Sequence, residues 1–279
     1  MLTARLSGLA AELADLVLPG ACAGCAAERV PLRFGACGAC VAALEALTPY
    51  ETAPVPPPPG MPRCTAVGPY AGALRGVLLA YKEKGRHRLA RPLGALLAVA
   101  VAEAARRGGA GPAAPVRLIP VPSTAAAARE RHGDHMARLA AQAVRRLRSA
   151  GWNADVCQPL RALPRPDSAS LDVAGRAAAA ESSLRIRGAP IPVSRRRPTM
   201  RGTLIVVDDI VTTGATLAAV AGRLREADMQ VTGAAVLAAT RLRRNRAPIR
   251  VRAPTGAPPG PKVPGSVPRT RGDGRPSAG

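Results

Sequence analysis

Apolar and polar residues alternate along this chain in several distinct periods, and each change of period marks an element. Leu2 through Leu18 places apolar residues three and four apart, which predicts an amphipathic helix. Pro54 to Pro62 is a proline-rich connector that neither continues a helix nor joins a central strand, so a boundary falls near residue 60. Helical spacing returns over Gly72–Lys82 and Leu89–Arg107, followed by a loop at Gly108–Pro115 and a short strand at Val116–Val121. Ala125–Ser149 reads as one long basic helix and Ala154–Leu160 as a second strand. Residues 161–202 read as irregular around a single helix at Val173–Ser183. Thr203–Val207 is an unbroken, largely β-branched run, the mark of a strand buried on both faces of a parallel sheet, and Asp208 and Asp209 end it. Thr216–Ala227 resumes helical spacing and Val231–Ala239 is apolar again, which completes a strand, turn, helix, strand unit. From Arg241 onward Pro and Gly recur with isolated arginines and no apolar period, so nothing offsets the entropy of ordering that stretch, and it reads as disordered. The pattern therefore predicts an α/β fold over 61–240, preceded by a segment 1–60 and followed by a basic tail 241–279.

Composition changes this picture in one respect. The apolar content of 47% is ordinary, but aromatics are only 2%, so the core must be built from Ala, Val and Leu. The formal charge of +22 invites a nucleic-acid reading, yet the tail alone holds ten Lys and Arg against Asp273, about 40% of the excess, and the remainder is spread thinly. Few aromatic platforms for base stacking exist: Phe34, Tyr50, Tyr70, Tyr81 and Trp152. Leu16 to Cys22 superficially resembles a lipoprotein cleavage site, but Glu12 and Asp15 interrupt the apolar stretch, and no run approaches the roughly 20 residues that span a bilayer. The expectation is a cytoplasmic protein without membrane insertion.

The stretch Leu204 to Thr216 carries the most chemistry. A strand delivers Asp208 and Asp209 to its C-terminal edge, where open α/β sheets bind ligands. The turn after it, with Gly214 free to adopt a positive φ and the hydroxyls of Thr212, Thr213 and Thr216, suits a phosphate, and the helix that follows adds its positive end. Carboxylates beside a phosphate cradle need a different partner, and vicinal sugar hydroxyls supply one. A ribose carrying phosphate satisfies both halves. The alternative is that these residues only cap a helix.

Four of the six cysteines form two pairs, Cys22-x2-Cys25 and Cys37-x2-Cys40, the spacing of a closed tetrahedral zinc site with no position left for water. Two disulfides or free thiols are the alternative; nothing else in the sequence speaks for an oxidising compartment. Cys64 and Cys157 fit no pair and read as small buried apolar residues.

The run Asp208-Asp209-x2-Thr212-Thr213-Gly214-Ala215-Thr216 after an apolar strand resembles the phosphoribosyl pyrophosphate signature of type I phosphoribosyltransferases. With the cysteine pairs ahead of it, the order is similar to that of the ComF family, over about residues 15–240. Tyr70-x-Gly72, Arg75, Tyr81 to Gly85, Pro120 to Ser123 and the loop Arg129 to Asp134 resemble further family segments, while His132, Ser168 and Ala179–Ala180 depart from them. The resemblance implies a type I phosphoribosyltransferase-like sheet behind a small zinc-ribbon-like segment. It implies that Asp208 and Asp209 hold the ribose hydroxyls and that Thr212, Thr213, Gly214, Ala215 and Thr216 surround the 5′-phosphate. Mg2+ would be chelated by the ligand, structural Zn2+ held by the four cysteines, and the leaving pyrophosphate neutralised by Arg131, with Arg129, Lys82 and Lys84 as further candidates. His87, His132 and His135 receive no role. Three functions follow from this reading: a magnesium-dependent transferase acting on an unidentified nucleophile; a DNA-uptake or DNA-processing accessory protein that binds nucleotides or single-stranded DNA beside other uptake proteins; and a sensor that binds phosphoribosyl pyrophosphate without turnover.

Overall fold

The computed structural model describes residues 20–130, 133–163, 183–187 and 202–240. The calls on the helix within 2–18, the helix at 173–183, the tail 241–279, and Arg131, His132, Ser168 and Ala179–Ala180 lie outside them. Near the N-terminus a small hairpin of β1 (Leu32–Arg33) and β2 (Ala36–Cys37) leads into α1 (Gly38–Glu45). Next come β3 (Tyr50–Thr52), β4 (Cys64–Pro69), α2 (Gly72–Glu83), a short 3-10 turn at His87–Leu89 and α3 (Ala90–Arg107). The chain continues through β5 (Val116–Pro120), α4 (Ala125–Glu130), α5 (His135–Ser149), β6 (Ala154–Val156), β7 (Leu160–Ala162), β8 (Leu184–Ile186), β9 (Thr203–Val211), α6 (Ala215–Arg225) and β10 (Val231–Ala239).

Six strands form one sheet in the order β3-β4-β10-β9-β5-β6, parallel except for β3, which runs antiparallel to β4 at the edge. A right-handed crossover places its helix on a face set by the direction of travel across the sheet. The steps from β4 to β5 and from β5 to β6 travel one way, and their helices α3 and α5 cover one face, packing Leu93, Leu97, Val101 and Leu139 near Ile205 and Val207. The step from β9 to β10 travels the opposite way, and α6 covers the other face with Leu217, Val220 and Leu224 near Leu204 and Val206. The chain thus diverges between β9 and β5, and the C-terminal ends of those neighbours flank the crevice where sheets of this kind bind ligands. Pro120 closes β5 beyond the reach of β6, which pairs only with Val116 to Leu118, so its missing N–H breaks no ladder on that side.

Several predicted boundaries shift. The strand predicted for Thr203–Val207 runs on to Val211, so Asp208 and Asp209 lie within it, held by parallel pairing of Asp208 with Val236 and Ile210 with Ala238. The long helix predicted for Ala125–Ser149 is two helices, because Asp134 caps α5 by accepting from the Met136 and Ala137 N–H groups and Gly133 turns at φ +128° before it. The strand predicted over Ala154–Leu160 divides into β6 and β7, which belong to different sheets. β4 escapes the sequence pattern altogether: Cys64-Thr65-Ala66-Val67-Gly68 mixes polar and small residues, yet all five are buried between β3 and β10. β10 is alanine-rich, and only its burial on both faces, not intrinsic preference, makes it a strand.

Candidate functional site

β9 carries successive side chains to opposite faces of the sheet. Asp209 points to the face of α2 and α5. There Lys82 Nζ, on α2, lies 2.8 Å from its Oδ2, and His135 Nε2, the first residue of α5, lies 3.0 Å from the same oxygen. Asp208 serves the other face, where its charge reaches Cys64, a thiol that burial pushes up to about 12. The two carboxyls therefore do not stand side by side, although Asp208 Oδ1 accepts from the Asp209 N–H at 2.8 Å.

Their protonation differs accordingly. Burial first, then the neighbouring Asp209 charge, push the Asp208 carboxyl up to about 8. Burial also works to raise Asp209, but the hydrogen bond from His135 and the ammonium of Lys82 outweigh it and hold that carboxyl below the usual carboxylate range. The two acids are thus pushed in opposite directions, at adjacent positions of one strand.

A polar chain extends from Asp209 across the crevice. His135 Nδ1 lies 3.3 Å from Ser123 Oγ, and Ser123 Oγ lies 3.4 Å from Asp134 Oδ1. Ser123 follows the end of β5, so the network ties together the two strand ends that flank the divergence point. Tyr81, buried beside Lys82 on α2, donates from its hydroxyl to the His135 carbonyl at 3.0 Å and fixes α2 against the start of α5. Sequence reasoning gave His135 no role and placed Ser123 only in a family-like segment at a strand end, because the partners of His135 lie 74 and 12 positions away along the chain. The one available signal was that Asp134-His135 opens a helix and Ser123 closes a strand.

The turn after β9 keeps the predicted form. Gly214 sits at φ +74°, and a Cβ there would meet Met61 Sδ at 2.4 Å, so both conformation and space call for glycine. Thr213 Oγ1 accepts from the Ala215 N–H at 3.4 Å, but no side chain caps α6, in contrast to the Asp134 cap on α5. The first N–H groups of α6 thus face the turn without an intrahelical partner. Thr212 is exposed, Thr213 and Thr216 half-buried, Gly214 and Ala215 buried. Arg131 lies outside the described residues; Lys82 is committed to Asp209, and Arg129 is on α4.

The four cysteines converge as a second centre. Their sulfurs lie within 4.8 Å of one another, with Cys25 Sγ and Cys37 Sγ 3.8 Å apart, the edge of about 3.8 Å that a tetrahedron of thiolates at about 2.3 Å from a metal requires. All four are free thiols. The Gly24 and Cys37 N–H groups point at Cys22 Sγ, at 3.4 and 3.2 Å. Burial alone would raise that thiol, but these backbone donors and that of Cys25 outweigh it and bring Cys22 down to about 6, an environment made for sulfur in its anionic form. A Cβ on Gly24 would lie 2.6 Å from Cys40 Sγ, and one on Gly76 of α2 only 2.1 Å from the Gly24 carbonyl oxygen, so two glycines let the knuckle close and dock on α2. The four thiols suit a metal ion in number, spacing and donor chemistry. Cys64 is buried, as expected, whereas Cys157 is partly exposed.

Among the described residues no helix is long and apolar enough to cross a membrane. The expected contribution of the basic tail to single-stranded DNA falls on residues outside the described set. Compared with models of known protein families and with curated proteins, the chain shows no match.

Proposed function

We propose that this chain binds the ribose 5-phosphate portion of a phosphoribosyl ligand, as a phosphoribosyltransferase-like protein of the type I fold and ComF-like organisation. The observation that carries the reading is the placement of Asp208 and Asp209 near the C-terminal end of β9, which leads into a glycine turn and an uncapped helix N-terminus at the divergence point of a parallel sheet. In this reading the N–H groups of Thr213, Gly214, Ala215 and Thr216, together with the hydroxyls of Thr212 and Thr216, surround the phosphate. Asp209 accepts from a ribose hydroxyl once Lys82 yields its oxygen, and protonated Asp208 donates rather than accepts. Magnesium arrives chelated by the diphosphate of the ligand. Transfer breaks the bond from the anomeric carbon to pyrophosphate as a bond to the acceptor forms, and Lys82, released from Asp209, neutralises the departing charge.

The four cysteines hold a structural zinc in this proposal, since a closed thiolate shell leaves no place for substrate. Its binding contributes on the order of 10 kcal/mol to ordering a segment too small for its own core.

Calorimetric titration with phosphoribosyl pyrophosphate and magnesium tests the first proposal, comparing the wild type with Asp208→Asn plus Asp209→Asn and with Thr212→Ala plus Thr216→Ala. Weakened binding in both variants, with melting temperatures retained in the threonine pair, supports it. Undiminished binding in the threonine pair, or no binding by the wild type, refutes it.

A further inference from the structure

One sulfur of the cysteine centre differs from the other three. Cys22, Cys37 and Cys40 are buried, whereas Cys25 is exposed in the turn at 23–25, with exposed Ala26 beside it. A small oxidant arriving from solvent therefore meets Cys25 first. Cys37 Sγ lies 3.8 Å from Cys25 Sγ. A disulfide needs about 2.05 Å, so the two sulfurs must close by roughly 1.8 Å, a movement the exposed side of the turn leaves room for. Cys157 is partly exposed too, but it lies outside the four-sulfur group.

The same centre is built against the helix that serves the candidate site. A Cβ on Gly76 of α2 would lie 2.1 Å from the Gly24 carbonyl oxygen and 2.8 Å from that of Ala23. Just beyond the end of α2, Arg86 Nη1 donates to the Ala21 carbonyl at 2.6 Å. Residues 21–24 thus hold α2 from outside, and the same helix carries Tyr81 to the His135 carbonyl and Lys82 to Asp209.

We propose that Cys25 and Cys37 are an oxidation site for a hydroperoxide, and that their closure into a disulfide expels the metal and releases α2. The first half rests on the sulfur geometry alone, the second on the reading of the centre as a zinc site. The Cys25 sulfur attacks one peroxide oxygen, the O–O bond breaks, Cys25 becomes a sulfenic acid, and the other oxygen leaves as water when hydrogen peroxide is the oxidant. The Cys37 sulfur then attacks the Cys25 sulfur, the S–O bond breaks, and a second water departs. The two sulfurs give up two electrons and the peroxide is reduced to two waters, with the two further protons coming from the thiols, or from solvent where a metal holds the thiolates. Two of the four ligands are then spent, and the remaining pair holds the ion far more weakly. Without the ion the turn no longer presses the Gly24 carbonyl against Gly76, and α2 loses its outer support.

The test uses the full chain reconstituted with zinc and treated with hydrogen peroxide, remaining thiols being blocked with N-ethylmaleimide. Peptide mapping, zinc release to a chromogenic chelator and amide hydrogen exchange are read on the same samples. The expected result is a link joining Cys25 to Cys37, zinc released in step with it, and exchange across Gly72–Glu83 faster by about tenfold or more. Dithiothreitol with added zinc should restore the slow exchange. Cys157→Ser, outside the centre, should leave all three readouts unchanged. A link between any other pair, oxidation of Cys157 ahead of Cys25, zinc release without the link, or unchanged exchange in α2 once the link has formed overturns the proposal. A chain that takes up no zinc sinks the metal reading and with it the second half; a Cys25–Cys37 link formed in that metal-free chain still supports the oxidation site, and its absence overturns it.

Discussion

Replacing Lys82 by Met removes the ammonium from Asp209 while keeping most of the aliphatic stem. The pair is 2.8 Å apart, with side chains 22% and 8% exposed, so little water is at hand to take over. Deleting one partner of a buried pair costs about 3–5 kcal/mol. His135 keeps its own bond to the same carboxylate oxygen and Lys82 is the more exposed partner, so the loss should fall at or just below that range, about 2–3 kcal/mol at pH 7. Asp209 is held below its ordinary value of 3.8, so its contribution is fully present above that pH and is lost as pH falls through the lower folded value. The difference between wild type and Lys82→Met should therefore shrink toward acid. Urea unfolding at pH 7 and near pH 3 measures both. Ligand binding should split in sign. Ribose 5-phosphate, with a diol but no diphosphate, no longer competes with Lys82 for Asp209 and should bind about threefold to tenfold tighter, a gain comparable to the net contribution of one ordinary hydrogen bond. Phosphoribosyl pyrophosphate, which loses the cation for its diphosphate, should bind more weakly. Unchanged stability at pH 7, or parallel changes for the two ligands, would refute the idea that Lys82 is shared between Asp209 and the ligand.

Other consequences are open to direct measurement. Because folding raises the Asp208 carboxyl to about 8 from 3.8, the folded state holds a proton the unfolded chain has given up, so this group lowers stability progressively as pH rises from about 4 to about 8; Asp208→Asn should flatten that slope in urea midpoints. Gly76→Ala puts a Cβ 2.1 Å from the Gly24 carbonyl oxygen, so α2 and the knuckle must separate, at a cost of about 1–3 kcal/mol, with faster metal loss to a chelator; an unaltered rate would show that the contact is not required. Cys25→Ser changes the one exposed cysteine of the four, and elemental analysis should fall from about one zinc per chain to well below it, with a lower melting temperature. Gly214→Ala meets both a positive φ and Met61, and should weaken phosphate-dependent binding more than it lowers the melting temperature if the turn is the phosphate contact.

The sequence by itself determined what is local. The β-branched run before Asp208, the glycine at the centre of the following turn, the cysteine spacings and the apolar periods of α2, α3 and α6 each depend on neighbours a few positions away, and each is found in the structure with modest shifts of boundary. Tertiary structure alone decided the rest. β4 is a strand because β3 and β10 bury it, not because Cys64-Thr65-Ala66 favours one. Adjacent in sequence, Asp208 and Asp209 read as a single carboxylate surface, but adjacency in a strand separates side chains to two faces, and only the packing of α2 and α5 reveals that Lys82 and His135 meet one acid while burial raises the other. Residues 82, 123, 135 and 209 share no local pattern. They come together because crossovers of fixed hand carry four separate elements to one end of the sheet, and no periodicity along the chain encodes that meeting.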